Sequence, residues 1–259
     1  MAITLRSPWE IELIRKAGVV VADVLLQLKN AAKAGMNTAE LDLLARQIAE
    51  KHGAENLFLG VRSSIAGRPF PGAICASINE QVVHGIPSEN AVLHDGDILS
   101  LDYGARLNGY CADSALTVGI GEITQLRSRL MEVTKGALDI AIAEAKPNVK
   151  WSYIAYRMQR SVELAGFSVV KDLVGHGIGR QMHEEPQVPN YVSNELLEND
   201  FTLAEGMVLA VEPMINTGSA AIRTLRDGWT VITRDGKSSA HFEHTIVITK
   251  NGCEVLTAA

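Results

Sequence analysis

The sequence predicts an α+β fold in a single domain, residues 1–259, with helices covering a largely antiparallel sheet. Three observations carry that expectation: two helix pairs at equal spacing, glycine-punctuated apolar strands with a strong hairpin signal, and a composition rich in small apolar residues. With 47% apolar residues the chain buries a large core. Charged residues make up 21% and the net charge is −6, which excludes a disordered chain and a basic nucleic-acid binder. Neither nucleic acid nor an anionic membrane is an expected partner. Cys75, Cys111 and Cys253 are odd in number and scattered without a C-x-x-C, so neither a disulfide framework nor a thiolate zinc site is expected. No apolar run approaches the roughly 20 residues of a membrane span, and no secretory signal opens the sequence. A cytoplasmic, reducing location follows as the expectation.

The first helix is expected over about 8 to 34: Ser7 caps, Pro8 sits in the first turn, Glu10 answers the cap, and Ile11, Ile14, Val21, Leu25 and Leu28 recur at helical spacing. Gly35 is the expected stop. Asn37-Thr38 opens a second helix through Leu41, Leu44 and Ile48, closed by Gly53. A third runs from Glu122 to Lys146 before Pro147, and Ser152 is the expected cap of a fourth, which ends at Gly166. The starts at 8 and 122, and at 38 and 152, are both 114 residues apart. That equality predicts a duplicated unit with halves of about 8–121 and 122–250, an accident of boundary placement being the alternative.

Strands are expected over Asp97–Leu107, Tyr110–Val118, Met207–Glu212 and Ala240–Thr249. Asn108-Gly109 joins the first two as a two-residue turn, because both residues tolerate positive φ. That register sets Asp102 opposite Ala115 and Gly104 opposite Asp113. The two aspartates then share a face as diagonal neighbours, ~7–8 Å apart at the backbone, within reach of one cation. A polar hairpin whose aspartates bond their own loop is the competing reading. Glu212 ends an apolar run before Pro213, and His241, Glu243 and Thr245 alternate onto one strand face. The stretch Gly175-His176-Gly177-Ile178-Gly179 through His183-Glu184-Glu185-Pro186 presents two histidines on a flexible backbone. It has neither dinucleotide nor phosphate-loop spacing, which leaves metal ligation or acid–base work for the histidines.

Together with Ser77-Ile78-Asn79-Glu80, His84-Gly85-Ile86-Pro87, Glu212-Pro213-Met214, Asp227-Gly228-Trp229-Thr230-Val231 and Glu243-His244-Thr245, these runs resemble type I methionine aminopeptidases, in order and from about residue 8 to 250. The resemblance implies the pita-bread fold, a curved sheet in pseudo-two-fold halves. It implies that Asp102, Asp113, His176, Glu212 and Glu243 bind two divalent metal ions (Co, Mn, Fe or Zn) around a bridging water. It implies that His84 contacts the scissile amide, that His183 donates to the substrate carbonyl, and that Glu212 also shuttles a proton. Phe70, Cys75 and Trp229 fall at positions of the methionine pocket. The implied reaction removes N-terminal methionine from peptides and nascent chains when the second residue is small, by a monomer; the Met1-Ala2 start would itself qualify. Transient ribosome contact is the partner implied by nascent chains, with no zinc finger or basic N-terminal extension to support it.

Three departures bear on specificity. Gly67-Arg68-Pro69-Phe70-Pro71 lacks a tyrosine usual in the family, Met182 stands where phenylalanine is common, and His241 replaces a usual glutamine. Among alternatives, a proline-specific relative would carry a long domain before the first helix, and a type II enzyme would need more than the 28 residues between His183 and Glu212. A metal-free scaffold on the same fold would have lost ligands; here all five positions are filled.

Overall fold

The computed structural model describes residues 3–62 and 67–258; Met1-Ala2, expected as a cleavable start, lies outside them. The first part of the chain forms α1 (Pro8–Ala31), α2 (Thr38–His52), β1 (Glu55–Asn56), β2 (Cys75–Ile78), β3 (Gln81–Val83), β4 (Ile98–Leu107) and β5 (Tyr110–Gly119). Then come α3 (Gln125–Glu144), α4 (Trp151–Leu164), β6 (Ser168–Val169), β7 (Gly175–Gly177), β8 (Glu184–Val188) and α5 (Asn194–Glu198). The last part forms β9 (Val208–Val211), β10 (Met214–Asn216), β11 (Ile222–Thr224), β12 (Val231–Thr233), β13 (Ser239–His241), β14 (Glu243–Thr249) and β15 (Gly252–Val255).

The main sheet runs β1-β4-β5-β14-β9-β7-β8, with β2 on β4 and β15 on β14, and every pairing is antiparallel. Two three-stranded sheets, β13-β10-β6 and β11-β12-β3, flank it. Helices α1 and α2 bury Ile14, Val21, Leu25, Leu41 and Ile48 against Leu99, Leu101 and Tyr103. Helices α3 and α4 bury Leu130, Leu138, Ile154 and Met158 against Leu209, Val211 and Ile246. Each pair thus covers its own apolar core beneath the shared sheet. No helix of the described residues is long and apolar enough to cross a membrane.

The β4–β5 hairpin has the expected register: Asp102 pairs with Ala115 and Gly104 with Asp113. Asn108 and Gly109 both take positive φ, as the two-residue turn requires. Ser7 and Asn37 form capping boxes with Glu10 and Glu40. Other boundaries move for tertiary reasons. Helix α1 stops at Ala31 instead of 34, because Gly35 belongs to a separate turn whose N–H donates to the Leu93 carbonyl. Helix α3 starts at Gln125, capped by the Thr124 hydroxyl. Ser152 is not a cap: the helix begins one residue earlier, and the distant Asp200 carboxylate accepts from both the N–H and the hydroxyl of Ser152. Consequently the spacing of 114 becomes 117 between Pro8 and Gln125 and 113 between Thr38 and Trp151. The expected strand Ala240–Thr249 breaks at Phe242, since His241 pairs with Met214 in one sheet and Glu243 with Ala115 in another.

Gly18 lets α1 approach the segment after β15: a Cβ there would sit 2.0 Å from the Leu256 carbonyl oxygen. Backbone cannot yield as a side-chain tip does. Gly18→Ala is therefore expected to cost about 1–3 kcal/mol by overpacking, which thermal unfolding reads as roughly 2–4 °C per kcal/mol. An unchanged melting temperature would show that the helix simply slides.

Candidate metal centre and active site

The strands bring the sequence-expected residues together around one cavity of about 770 Å³. Its walls include Asp102, Asp113, His176, Glu212 and Glu243 together with His84, His183, Phe70, Cys75 and Trp229. Asp102 and Asp113 come from the hairpin, His176 from β7, Glu212 from the turn between β9 and β10, and Glu243 from the start of β14. Gly104, opposite Asp113, leaves space: a Cβ there would press on Phe58, Leu57 and the Asp113 carboxylate at 3.1–3.2 Å.

Asp113, His176 and Glu243 offer ligand atoms within 4.8 Å of one another. Glu212 Oε1 lies 3.6 Å from His176 Nε2. The buried oxygens Asp102 Oδ1, Asp113 Oδ1 and Glu243 Oε1 have no hydrogen-bond partner. Buried anions clustered without a nearby cation are strongly disfavoured. Burial raises the carboxyl pKa of Asp102 to about 7. It holds Asp113, Glu212 and Glu243 well above the ordinary carboxylate range, with repulsion from neighbouring carboxylates adding to the effect. His176 Nδ1 lies 2.9 Å from the Gly177 carbonyl, an arrangement in which it donates and turns the Nε2 lone pair toward the acids. Burial also lowers the His176 pKa to about 4, so its ring is neutral near pH 7. Unpartnered oxygens and one free imidazole nitrogen are a hard donor set, and they fit divalent cations of the Mn²⁺, Fe²⁺ or Co²⁺ kind, with Zn²⁺ also compatible.

The other end of the cavity is apolar. Phe58, Phe70 and Cys75 are buried there, with Val61, Met182 and Trp229 against them. Phe70 and Trp229 meet edge to face with centroids 5.2 Å apart, and Trp229 Nε1 donates to the Arg68 carbonyl at 2.9 Å. Burial pushes the Cys75 thiol up, helped by Asp102, so it is a neutral wall rather than a nucleophile. His84 holds a left-handed backbone, φ 58°, and faces Trp229. Burial foremost, then His183, lowers its pKa to about 4. His183 stands edge to face on His176, centroids 4.4 Å apart. His241 and Glu243 lie in different strands across the break at Phe242, yet both line the cavity; His241 Nε2 is buried, unpartnered and 4.0 Å from Glu243 Oε2.

Sequence reasoning missed several supports. Arg6 is buried, passes against Gly179 where a side chain would collide with it, and pairs with Glu184, fixing the loop that carries His183. Asp42 accepts from the N–H groups of Ala73 and Ile74, anchoring the approach to Cys75, and is held in turn by Arg46. Phe58 completes the pocket. Only the helical Asp42/Arg46 spacing was available as a signal, and it reads equally as a surface pair.

An acidic, histidine-bearing nest beside an apolar wall of the same cavity, on a curled antiparallel sheet, is the architecture of a metal-dependent hydrolase. The chain belongs to metallopeptidase family M24, whose pattern matches residues 12–250. Its relatives place it among the methionine aminopeptidases of that family. It is 46% identical to methionine aminopeptidase 1 of Bacillus subtilis over 255 residues, 98% of this chain and 99% of the relative. It is 44% identical to the methionine aminopeptidase of Aquifex aeolicus, covering 99% of each. The crystal structure of methionine aminopeptidase from Thermotoga maritima superposes with TM-score 0.94 at 39% identity, over 100% of both chains. The prolidase of Pyrococcus furiosus shares the pita-bread fold, with TM-score 0.76 at 21% identity over 98% of this chain and 65% of its own.

Proposed function

We infer that the protein removes N-terminal methionine from peptides and nascent chains when the following residue is small. The observation that carries this reading is the cluster of buried, unpartnered carboxylate oxygens opening onto an apolar chamber. Asp102, Asp113, His176, Glu212 and Glu243 would hold two divalent ions. Such ions, when bound, supply a water acidified toward neutrality and an electrophile for the scissile carbonyl.

The chain's own groups do the rest. Phe58, Phe70, Cys75, Met182 and Trp229 take up the thioether, for which aromatic and sulfur-bearing walls are favourable partners. His84 and His183 are held below the ordinary histidine value by burial, so both rings are neutral near pH 7. His183 donates a hydrogen bond to the substrate carbonyl and its oxyanion, and His84 contacts the scissile amide. Glu212 passes a proton toward the leaving amine, a task matched to a carboxyl whose affinity for protons burial has raised. In this reading the two helix pairs mark related halves of one catalytic domain.

A panel of Met-Ala-Ser, Leu-Ala-Ser, Pro-Ala-Ser and Met-Lys-Ser, assayed with Mn²⁺ or Co²⁺, tests the assignment. Met-Ala-Ser is expected to lead Leu-Ala-Ser by at least about 10-fold in kcat/KM, the scale on which a shaped apolar pocket discriminates. Met-Lys-Ser should resist cleavage. Equal rates for leucine would show that Met182 and the missing tyrosine have opened the pocket, and preference for proline would sink the proposal.

A further inference from the structure

Asp113 stands where the main sheet forks. Strand β14 pairs with β5 only at Glu243–Ala115 and His244–Ser114. From Ile246 onward β15 takes the place of β5 along that edge. The next rung, Thr245 opposite Asp113, is absent from the ladder, yet both backbone groups of Asp113 are satisfied. The Thr245 hydroxyl accepts from the Asp113 N–H at 3.0 Å and donates to the Asp113 carbonyl at 2.8 Å. One side chain thus stands in for a main-chain rung. Thr245 is fully buried. Its own N–H donates to the Thr257 hydroxyl at 3.2 Å, and its carbonyl accepts from the Leu256 N–H at 2.8 Å. Thr257 Oγ1 also lies 2.9 Å from His244 Nδ1. The segment after β15 is thereby strapped into the fork, in the space that Gly18 leaves open.

We propose that Thr245, braced by Thr257, is a positioning residue that fixes the Asp113 backbone across the fork in the sheet and so sets the geometry of the metal centre. The proposal rests on Asp113 being a metal ligand. The fork explains the need: Asp113 lies one position past the last β14–β5 pair, where no main-chain rung is left on that side. A hydroxyl supplies one donor and one acceptor at once, which neither an apolar nor a carboxylate side chain does. The main-chain N–H and carbonyl of Thr245 hold Thr257 and Leu256, which are both buried.

Thr245→Val keeps the shape and removes both bonds; Thr245→Ser keeps them. Titration of the metal-free proteins with Mn²⁺ by calorimetry, and the visible absorption of the Co²⁺ forms, read the centre without turnover. Thr245→Val is expected to bind Mn²⁺ about 10–100-fold more weakly, the usual scale for outer-shell partners, with an altered Co²⁺ spectrum; Thr245→Ser is expected to restore both. Wild-type affinity and spectrum in a folded Thr245→Val would overturn the proposal while leaving the metal assignment intact. Failure of the wild-type protein to bind either metal would instead overturn the assignment of Asp113 and the inference with it. Should Thr245→Val not fold, Thr257→Val carries the test: a several-fold loss of Mn²⁺ affinity supports the bracing, and an unchanged affinity overturns it.

Discussion

Asp113→Asn is expected to lose at least about 100-fold in kcat/KM, beyond the loss typical of outer-shell partners, while gaining thermal stability in chelator. Both effects have one origin. The Asp113 carboxylate is buried beside other acids, and burial followed by repulsion from Asp102 and Glu212 drives its pKa well above the ordinary range. Such a charge opposes folding unless cations compensate it. Asparagine keeps the shape and deletes the charge. It relieves the repulsion in the metal-free protein and removes an anionic ligand from the loaded one, the exchange between activity and stability expected of a functional site. Peptide hydrolysis and thermal unfolding in EDTA check the two halves separately. Full activity would refute the ligand role of Asp113, and a melting temperature several degrees below wild type would refute the electrostatic origin.

Chelated protein is expected to become more stable as the pH falls from about 8.5 to 6.5, with the gain levelling off below that. In the folded, metal-free state burial raises Asp102 to about 7 and holds Asp113, Glu212 and Glu243 well above the ordinary carboxylate range, against ~4 in the unfolded chain. Carboxyls raised in this way penalise the folded state at alkaline pH, and the penalty fades as the folded form takes up protons that the unfolded form does not. Histidines act in the opposite sense. Burial holds His84, His176 and His244 near 4 and His241 near 3, so below about 6.5 the unfolded chain takes up protons that these buried rings refuse. Saturating Mn²⁺ should erase the alkaline loss. At 1,000 times Kd a ligand contributes about 4 kcal/mol, or roughly 8–16 °C for a chain of this size. Melting curves across pH, with EDTA and with Mn²⁺, measure this directly; a chelated protein most stable at pH 8.5 would contradict the buried-acid picture.

What the sequence discloses is mostly local. Asn108-Gly109 fixes a turn, the turn fixes register, and register with a period of two places Asp102 and Asp113 on one face, as the structure has it. Capping boxes at Ser7 and Asn37 are equally local. Glu212 and Glu243 are different: alone they are strand-end acids, and their convergence with His176 was legible only through the family resemblance. The break at Phe242 was hidden because alternation continues through it while the pairing partner changes. Ser152, Asp42, Arg6 and Thr245 take their meaning from partners dozens to more than a hundred residues away, and no periodicity encodes such distances.

The order of the four acids and the imidazole along the chain has a consequence for biosynthesis. The hairpin aspartates are made early, whereas Glu243 and the strap at Leu256–Thr257 come last. The core beneath α1 and α2 likewise takes in Val208, Val247 and Leu256, so a partly translated polypeptide lacks the last residues of that core together with the closing ligand. On the proposed ligand set, the metal centre is complete only once β14 has been made.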